Sequence, residues 1–122
     1  MPSRGKTLPT WSGESSFRYE GSVTTGITIR CGSEFSRRYS LCASQLREVL
    51  TLFAGREVPI GTHRTAPPKG SIGEWILLHF KRGGMMSYLG PILIEEGYAQ
   101  RGDRAGFAGI DSSIELDRVE RF

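Results

Sequence analysis

Arginines and aromatic residues hold most of the chemistry in this chain, and they interleave. Trp11, Phe17, Tyr19, Phe35 and Tyr39 alternate with Arg18, Arg30, Arg37 and Arg38. On a sheet, aromatic rings stack bases while neighbouring guanidinium groups hold a phosphate backbone. The same alternation also describes a core face backed by a solvated charged face. Arginine outnumbers lysine 13 to 3. Its planar fork suits phosphate and carboxylate, although a genome-wide codon bias produces the same excess. The net charge is only +3, but residues 1–47 hold seven cations against three carboxylates. Positive charge is therefore concentrated early in the chain. With the late cations Arg101 and Arg104, the candidates for anion or nucleic-acid binding are Arg30, Arg37, Arg38, Arg101 and Arg104.

No spacing organises a catalytic set. The only histidines are His63 and His79. His79 lies beside the apolar face of a helix and reads as a partly buried, satisfied side chain. His63 shares a loop with Arg64 and Lys69, which suits either an anion or plain solvation. No His–Cys or Cys–Cys pair has metal-ligand spacing. Glu95 and Glu96 point to different sides of their helix, so they are no general acid–base pair. Nucleophile-elbow, phosphate-loop and dinucleotide fingerprints are absent. The expectation is a non-enzymatic protein with no cofactor and no metal. "RGD" at 101–103 reads as a turn triplet.

The elements that must position these residues follow from periodicity. At 122 residues, 38% hydrophobic and 24% charged, the chain reads as one globular domain. Residues 1–15 are polar and broken by Pro2, Gly5, Pro9 and Gly13. They read as a flexible arm with Trp11 as its one anchor, ahead of a single α+β domain over 16–122. Period-two alternation in "FRYEGSV", "ITIRC" and "FSRRYSLC" predicts an antiparallel sheet, with "GSE" at 32–34 as a hairpin turn. Residues 44–54 predict an amphipathic helix with Ser44 as N-cap and Leu46, Val49, Leu50 and Phe53 as its stripe. The tandem prolines and glycines of residues 56–70 predict a long irregular loop. Ser71 and Glu74 have capping-box spacing and start a second helix, which ends in Lys81, Arg82, Gly83 and Gly84. A third helix runs from about residue 86 to Glu96, with Gly90 and Pro91 near its first turn. Two short strands about "RGDRAG" complete a C-terminal hairpin. The tail "DSSIELDRVERF" fits a helix through Ser112 and Glu115, or a strand through Ile114 and Leu116. Cys31 and Cys42 are too few for a disulfide scaffold. They read as two buried thiols in a reducing cytoplasm or as one bridge across a hairpin.

The run "SYLGPILIEEGYAQRGDRAGF", together with the helices before it, resembles winged-helix DNA-binding domains over residues 44–109. Their pattern is helix, helix, turn, recognition helix and a glycine-led wing. The resemblance implies that the third helix lies in a major groove with Ser87 and Tyr88 toward bases or phosphates. It also implies that Arg101 and Arg104 sit on the wing. The overall style is similar to small orphan bacterial proteins of integron and other mobile gene cassettes, which implies a free-standing bacterial protein.

Two function classes remain. The first is a binding protein, homo-oligomeric, with a basic surface for an acidic ligand such as nucleic acid. Met85, Met86, Tyr88 and Trp75 would supply a subunit contact. The second is a small-molecule or protein-partner module. Its loop, with His63, Arg64 and Lys69, would close over the Trp75 helix and reach Tyr88. No apolar run reaches the roughly 18 residues of a membrane span or the length of a signal peptide. The expected location is the cytoplasm, with no membrane partner.

Overall fold

Alternating side chains give the first sheet its two faces. The computed structural model describes residues 5–67, 69–102 and 113–116. Strands β1 (Lys6–Pro9), β2 (Ser16–Ser22), β3 (Gly26–Cys31) and β4 (Arg37–Leu41) pair antiparallel in the order β1-β2-β3-β4. Phe17, Tyr19, Ile27, Ile29, Cys31 and Leu41 are buried on one face. The intervening residues, among them Arg18, Thr28, Arg30 and Arg38, lie on the other. The predicted hairpin turn extends into a single 3-10 turn over Ser33–Phe35, and Glu34 joins Gly32 at positive φ.

Of the segment read as a loose arm, residues 5–15 are part of the folded body, and residues 1–4 lie outside the described residues. Residues 6–9 form the edge strand, with Leu8 opposite Phe17. Trp11 is only 6% exposed. A proline elsewhere supplies the anchor. Helix α3 (Met86–Glu95) contains Pro91, which has no N–H to offer the carbonyl of Ser87 four residues back. The backbone N–H of Trp11 donates to that carbonyl at 2.9 Å. The Trp11 ring presses on Gly90, where a Cβ would sit 2.8 Å from Cε3 of Trp11 and 2.6 Å from Cδ1 of Ile60. Gly90 and Pro91, which look like helix breakers in the sequence, form the docking notch for the N-terminal segment.

Helix α1 (Ala43–Phe53) buries Leu46, Val49, Leu50 and Phe53, the stripe that its periodicity predicts. Its N-cap is Cys42 rather than Ser44; the Cys42 N–H donates to the Gln45 side chain at 2.9 Å. The hairpin register pairs Ile27 with Leu41 and Cys31 with Arg37, which sets the cysteines at opposite ends of the hairpin. Four strand residues span roughly 13 Å, well beyond disulfide reach. Both thiols are free; Cys31 is buried and Cys42 is exposed, not buried as expected.

A second sheet takes its strands from three distant places. Strands β5 (Glu57–Pro59), β6 (Ala99–Arg101) and β7 (Ser113–Leu116) pair antiparallel in the order β5-β7-β6. The prolines of the 56–70 segment do not exclude a strand, because Pro59 ends an edge strand. Residues 113–116 of the tail form a strand: Ile114 and Leu116 are buried, and Gln100 donates to Glu115 at 2.7 Å. The partner of β6 is thus β7, while residues 103–110, with the rest of the anticipated hairpin, lie outside the described residues.

Helix α2 (Ile72–Phe80) starts at Ser71, whose hydroxyl accepts from the Glu74 N–H at 3.0 Å. The Glu74 carboxylate accepts from Gly70 at 2.8 Å, one residue before the box predicted from sequence. The helix stops at Lys81, which is left-handed at φ 59, ψ 36.

Helix α3 packs between the two sheets. Met86, Leu89, Gly90, Ile92 and Leu93 are buried, and Glu95 alone in the helix is exposed. Its acidic C-terminus opposes the helix dipole, yet both carboxylates have partners. Glu95 meets Lys6 at 3.0 Å. Glu96 accepts from the Tyr19 hydroxyl at 2.8 Å and from the Val23 N–H at 2.9 Å, which ties the β2–β3 turn to the helix end.

This contact makes alkaline stability a test of the packing. Burial, then the hydrogen bond to Glu96 and its negative charge, push the Tyr19 phenol well above its ordinary value of 10.0. Above that pH the unfolded chain loses a proton that the folded chain keeps. The stabilisation is complete below 10.0 and declines as pH rises past it. Urea midpoints of the parent chain are expected to fall with rising pH in that range, and Tyr19→Phe to fall less steeply. Equal declines would reject the assignment.

Candidate anion-binding surfaces

The register across β2, β3 and β4 sets Arg18 opposite Arg30 and Arg30 opposite Arg38. Three arginines therefore stand in register across the outer face of the first sheet, on strands about 4.8 Å apart. Directly opposed like charges cost roughly 0.2–1 kcal/mol per pair. Glu20 relieves part of that through Arg30 at 3.4 Å, with both side chains 41% exposed. Among the described residues, Arg18 and Arg38 have no ion-pair partner. Thr28 and Ser40 lie beside the row, 3.4 Å apart, and add hydroxyl groups. The row includes Arg30 and Arg38 of the expected set and adds Arg18 from the interleaved arginines.

The other expected cations diverge. Arg37 follows the opposite strand phase, toward Tyr88. The Arg101 guanidinium lies 3.9 Å over the Trp11 ring and donates to the Trp11 carbonyl at 2.6 Å, so it braces the N-terminal segment. Arg104 lies outside the described residues. The five do not share one surface. Nor does the outer face offer rings for base stacking beside the row, because Trp11, Phe17 and Tyr19 are core residues and Tyr39, opposite Ile29, is on the inner face. The alternation of arginines and aromatics is that of a core face backed by a charged one.

A second basic feature is concave. A cavity of ≈ 380 Å³ lies between the loop after β5, the turn joining α2 to α3, and the end of β4. Arg64, Lys81 and Arg82 line it together with Tyr39, Tyr88 and Ser87. Among the described residues no carboxylate lines it. Arg82 lies 5.9 Å over the Tyr39 ring, and the Tyr39 and Tyr88 rings stack at 6.4 Å. Burial, followed by the Cys31 thiol, raises the Tyr88 phenol above its ordinary value and keeps it a neutral donor.

The cavity brings together Arg64 and Tyr88 of the residues expected around the 56–70 loop. It excludes His63, Lys69 and Trp75. Nδ1 of His63 accepts from the N–H groups of Thr65 and Ala66, at 3.2 and 2.9 Å, and so shapes its own loop. Trp75 packs against Phe53, Phe80 and the ring of His79, the last at 4.3 Å. His79 is exposed rather than partly buried. The loop packs on the first turn of α2, at Gly61 and Gly73, and its Arg64 reaches the α2–α3 turn rather than Trp75. Lys81 and Arg82 read in the sequence only as helix-ending cations.

Met85 and Met86, expected at a subunit contact, are core residues at 3% and 0% exposure. Ser87 and Tyr88 are half-buried, and the Tyr88 ring packs edge-on against Phe17 at 5.3 Å. The first sheet covers the helix that the resemblance would send into a groove. Among the described residues no group of three His, Cys, Asp or Glu side chains could hold a metal. No helix there is long and apolar enough to cross a membrane. Compared with known proteins, the chain matches no family model, no curated protein and no solved structure.

Proposed function

We propose that the protein is a non-enzymatic binding protein for an acidic polymer, with a nucleic-acid backbone lying across the outer face of the first sheet. The observation that carries this reading is the cross-strand row Arg18–Arg30–Arg38. The chain keeps opposed like charges whose repulsion a bound polyanion relieves. Two cations of the row lack a described ion-pair partner, and hydroxyl groups flank it. The order helix, strand, helix, turn, helix, strand, strand after residue 42, with its three strands in one antiparallel sheet, supports a winged-helix-like second half. The burial of α3 gives that helix a core role and leaves phosphate contact to the sheet.

Phosphate contacts release counterions, so affinity falls with salt by about 0.7–0.9 log units per contact per log unit of salt. Fluorescence anisotropy with labelled single- and double-stranded DNA and RNA should give a slope of about −2 to −3 for three contacts. Replacing Arg18, Arg30 and Arg38 by Gln should remove most of that slope. No binding to any polynucleotide, or a salt response indifferent to the triple substitution, would reject the reading.

A further inference from the structure

The cleft between the β5–α2 loop and the α2–α3 turn has features that the arginine row lacks. It is concave, and its three cations come from two segments that backbone contact locks together. Gly83 lies so close to the Arg64 carbonyl that any Cβ there would collide with it. A Cβ on Gly84 would sit 3.0 Å from Cγ of Arg64. The position of Arg64 is thus imposed by packing, despite repulsion from Lys81 and Arg82. Lys81 adds a second sign. It is left-handed at φ 59 at the end of α2, where glycine is the usual residue. Backbone strain of this kind gathers at functional sites. Ser87 stands in the first turn of α3, where the helix dipole favours an anion. The volume of ≈ 380 Å³ falls in the range of small-ligand pockets, and Tyr39 and Tyr88 offer an aromatic wall.

We propose that this cleft binds a phosphomonoester, with its dianionic phosphate on Arg64, Lys81, Arg82 and the Ser87 hydroxyl and its organic portion against Tyr39 and Tyr88. Two sources share that chemistry: a free mononucleotide and the phosphorylated end of a nucleic-acid strand. The proposal does not depend on the arginine row.

Isothermal titration calorimetry on the full chain tests it with adenosine 5′-monophosphate, adenosine, and one oligonucleotide with and without a 5′-phosphate. The monophosphate is expected to saturate a single site and to bind at least about tenfold more tightly than adenosine, since charge-assisted hydrogen bonds are lost with the phosphate. A 5′-phosphate that tightens the oligonucleotide beyond the monophosphate assigns the strand end as the source; the reverse order assigns the free nucleotide. Lys81→Gly and Arg82→Gln are each expected to weaken the monophosphate about tenfold. Lys81→Gly should also hold or raise Tm, because glycine relaxes the left-handed backbone, so lost binding cannot be ascribed to lost folding. The Arg18, Arg30 and Arg38 triple variant should retain monophosphate binding. Equal affinity for adenosine and its monophosphate, binding of neither, or an affinity unchanged by both cleft substitutions would overturn the proposal.

Discussion

Glu96→Ala is expected to destabilise the chain by about 2–4 kcal/mol and to lower Tm by on the order of 10 °C. The carboxylate accepts from two donors that have little access to water. Val23 is fully buried and Tyr19 is 3% exposed. Removing the acceptor leaves both groups desolvated, at about 1–3 kcal/mol each. Part of the loss is returned, because a negative charge at the end of α3 opposes the dipole by about 0.3–1 kcal/mol. Glu96→Gln should recover much of the loss. Its amide oxygen can take the Val23 N–H while its NH₂ group donates to the Tyr19 hydroxyl. Lys6→Ala, which breaks the exposed pair with Glu95, serves as the control and should change stability by less than about 1 kcal/mol. Urea unfolding of the four proteins measures all of this. Similar losses in the Glu96→Ala and Lys6→Ala variants would show that the clamp between sheet and helix is a surface decoration.

Gly73→Ala should cost about 2–3 kcal/mol, the opposite sign to that of a solvent-facing helix position, where the change gains about 1 kcal/mol. Gly73 lies in the first turn of α2 and donates its N–H to the Ile60 carbonyl at 2.9 Å. An added Cβ would collide with the carbonyl oxygen of Gly61, a backbone atom that cannot rotate away. The 60–62 segment would have to retreat, and the Ile60 bond would lengthen or break. That segment leads to Thr62 and Arg64 on the cleft wall, so the same change should weaken any cleft ligand. Thermal unfolding read beside monophosphate titration would detect both effects. A stabilised variant would mean that α2 and the loop are not in contact as described.

Local pattern alone was enough for the elements whose burial follows their own periodicity. The stripe of α1, the alternation of β2 and β3 and the Ser71 cap of α2 could all be read from neighbours within a few residues. An α+β fold with an early antiparallel sheet and three helices follows from those. The functional geometry could not be read that way. Gly90, Pro91 and the acidic pair look like defects in a single helix, and they acquire a purpose only from Trp11, Ile60, Tyr19, Val23 and Lys6, which are remote in sequence. Cross-strand register added Arg18 to the row and turned Arg37 away. A cation–π contact withdrew Arg101 into a structural role, and a glycine contact brought Arg64 to Lys81 and Arg82.

The division has a physical cause. Hydrophobic periodicity and capping act over three or four residues, and each segment carries them with it wherever it goes. Hydrogen bonds to freed carbonyls, glycine-to-backbone approach and like-charge proximity depend on which segments meet, and chain packing alone decides that. This sequence by itself determined the α+β class, the first sheet's central strands, the three helices and the excess of arginine early in the chain. Tertiary structure decided that the positive charge divides into an open row and a concave cleft.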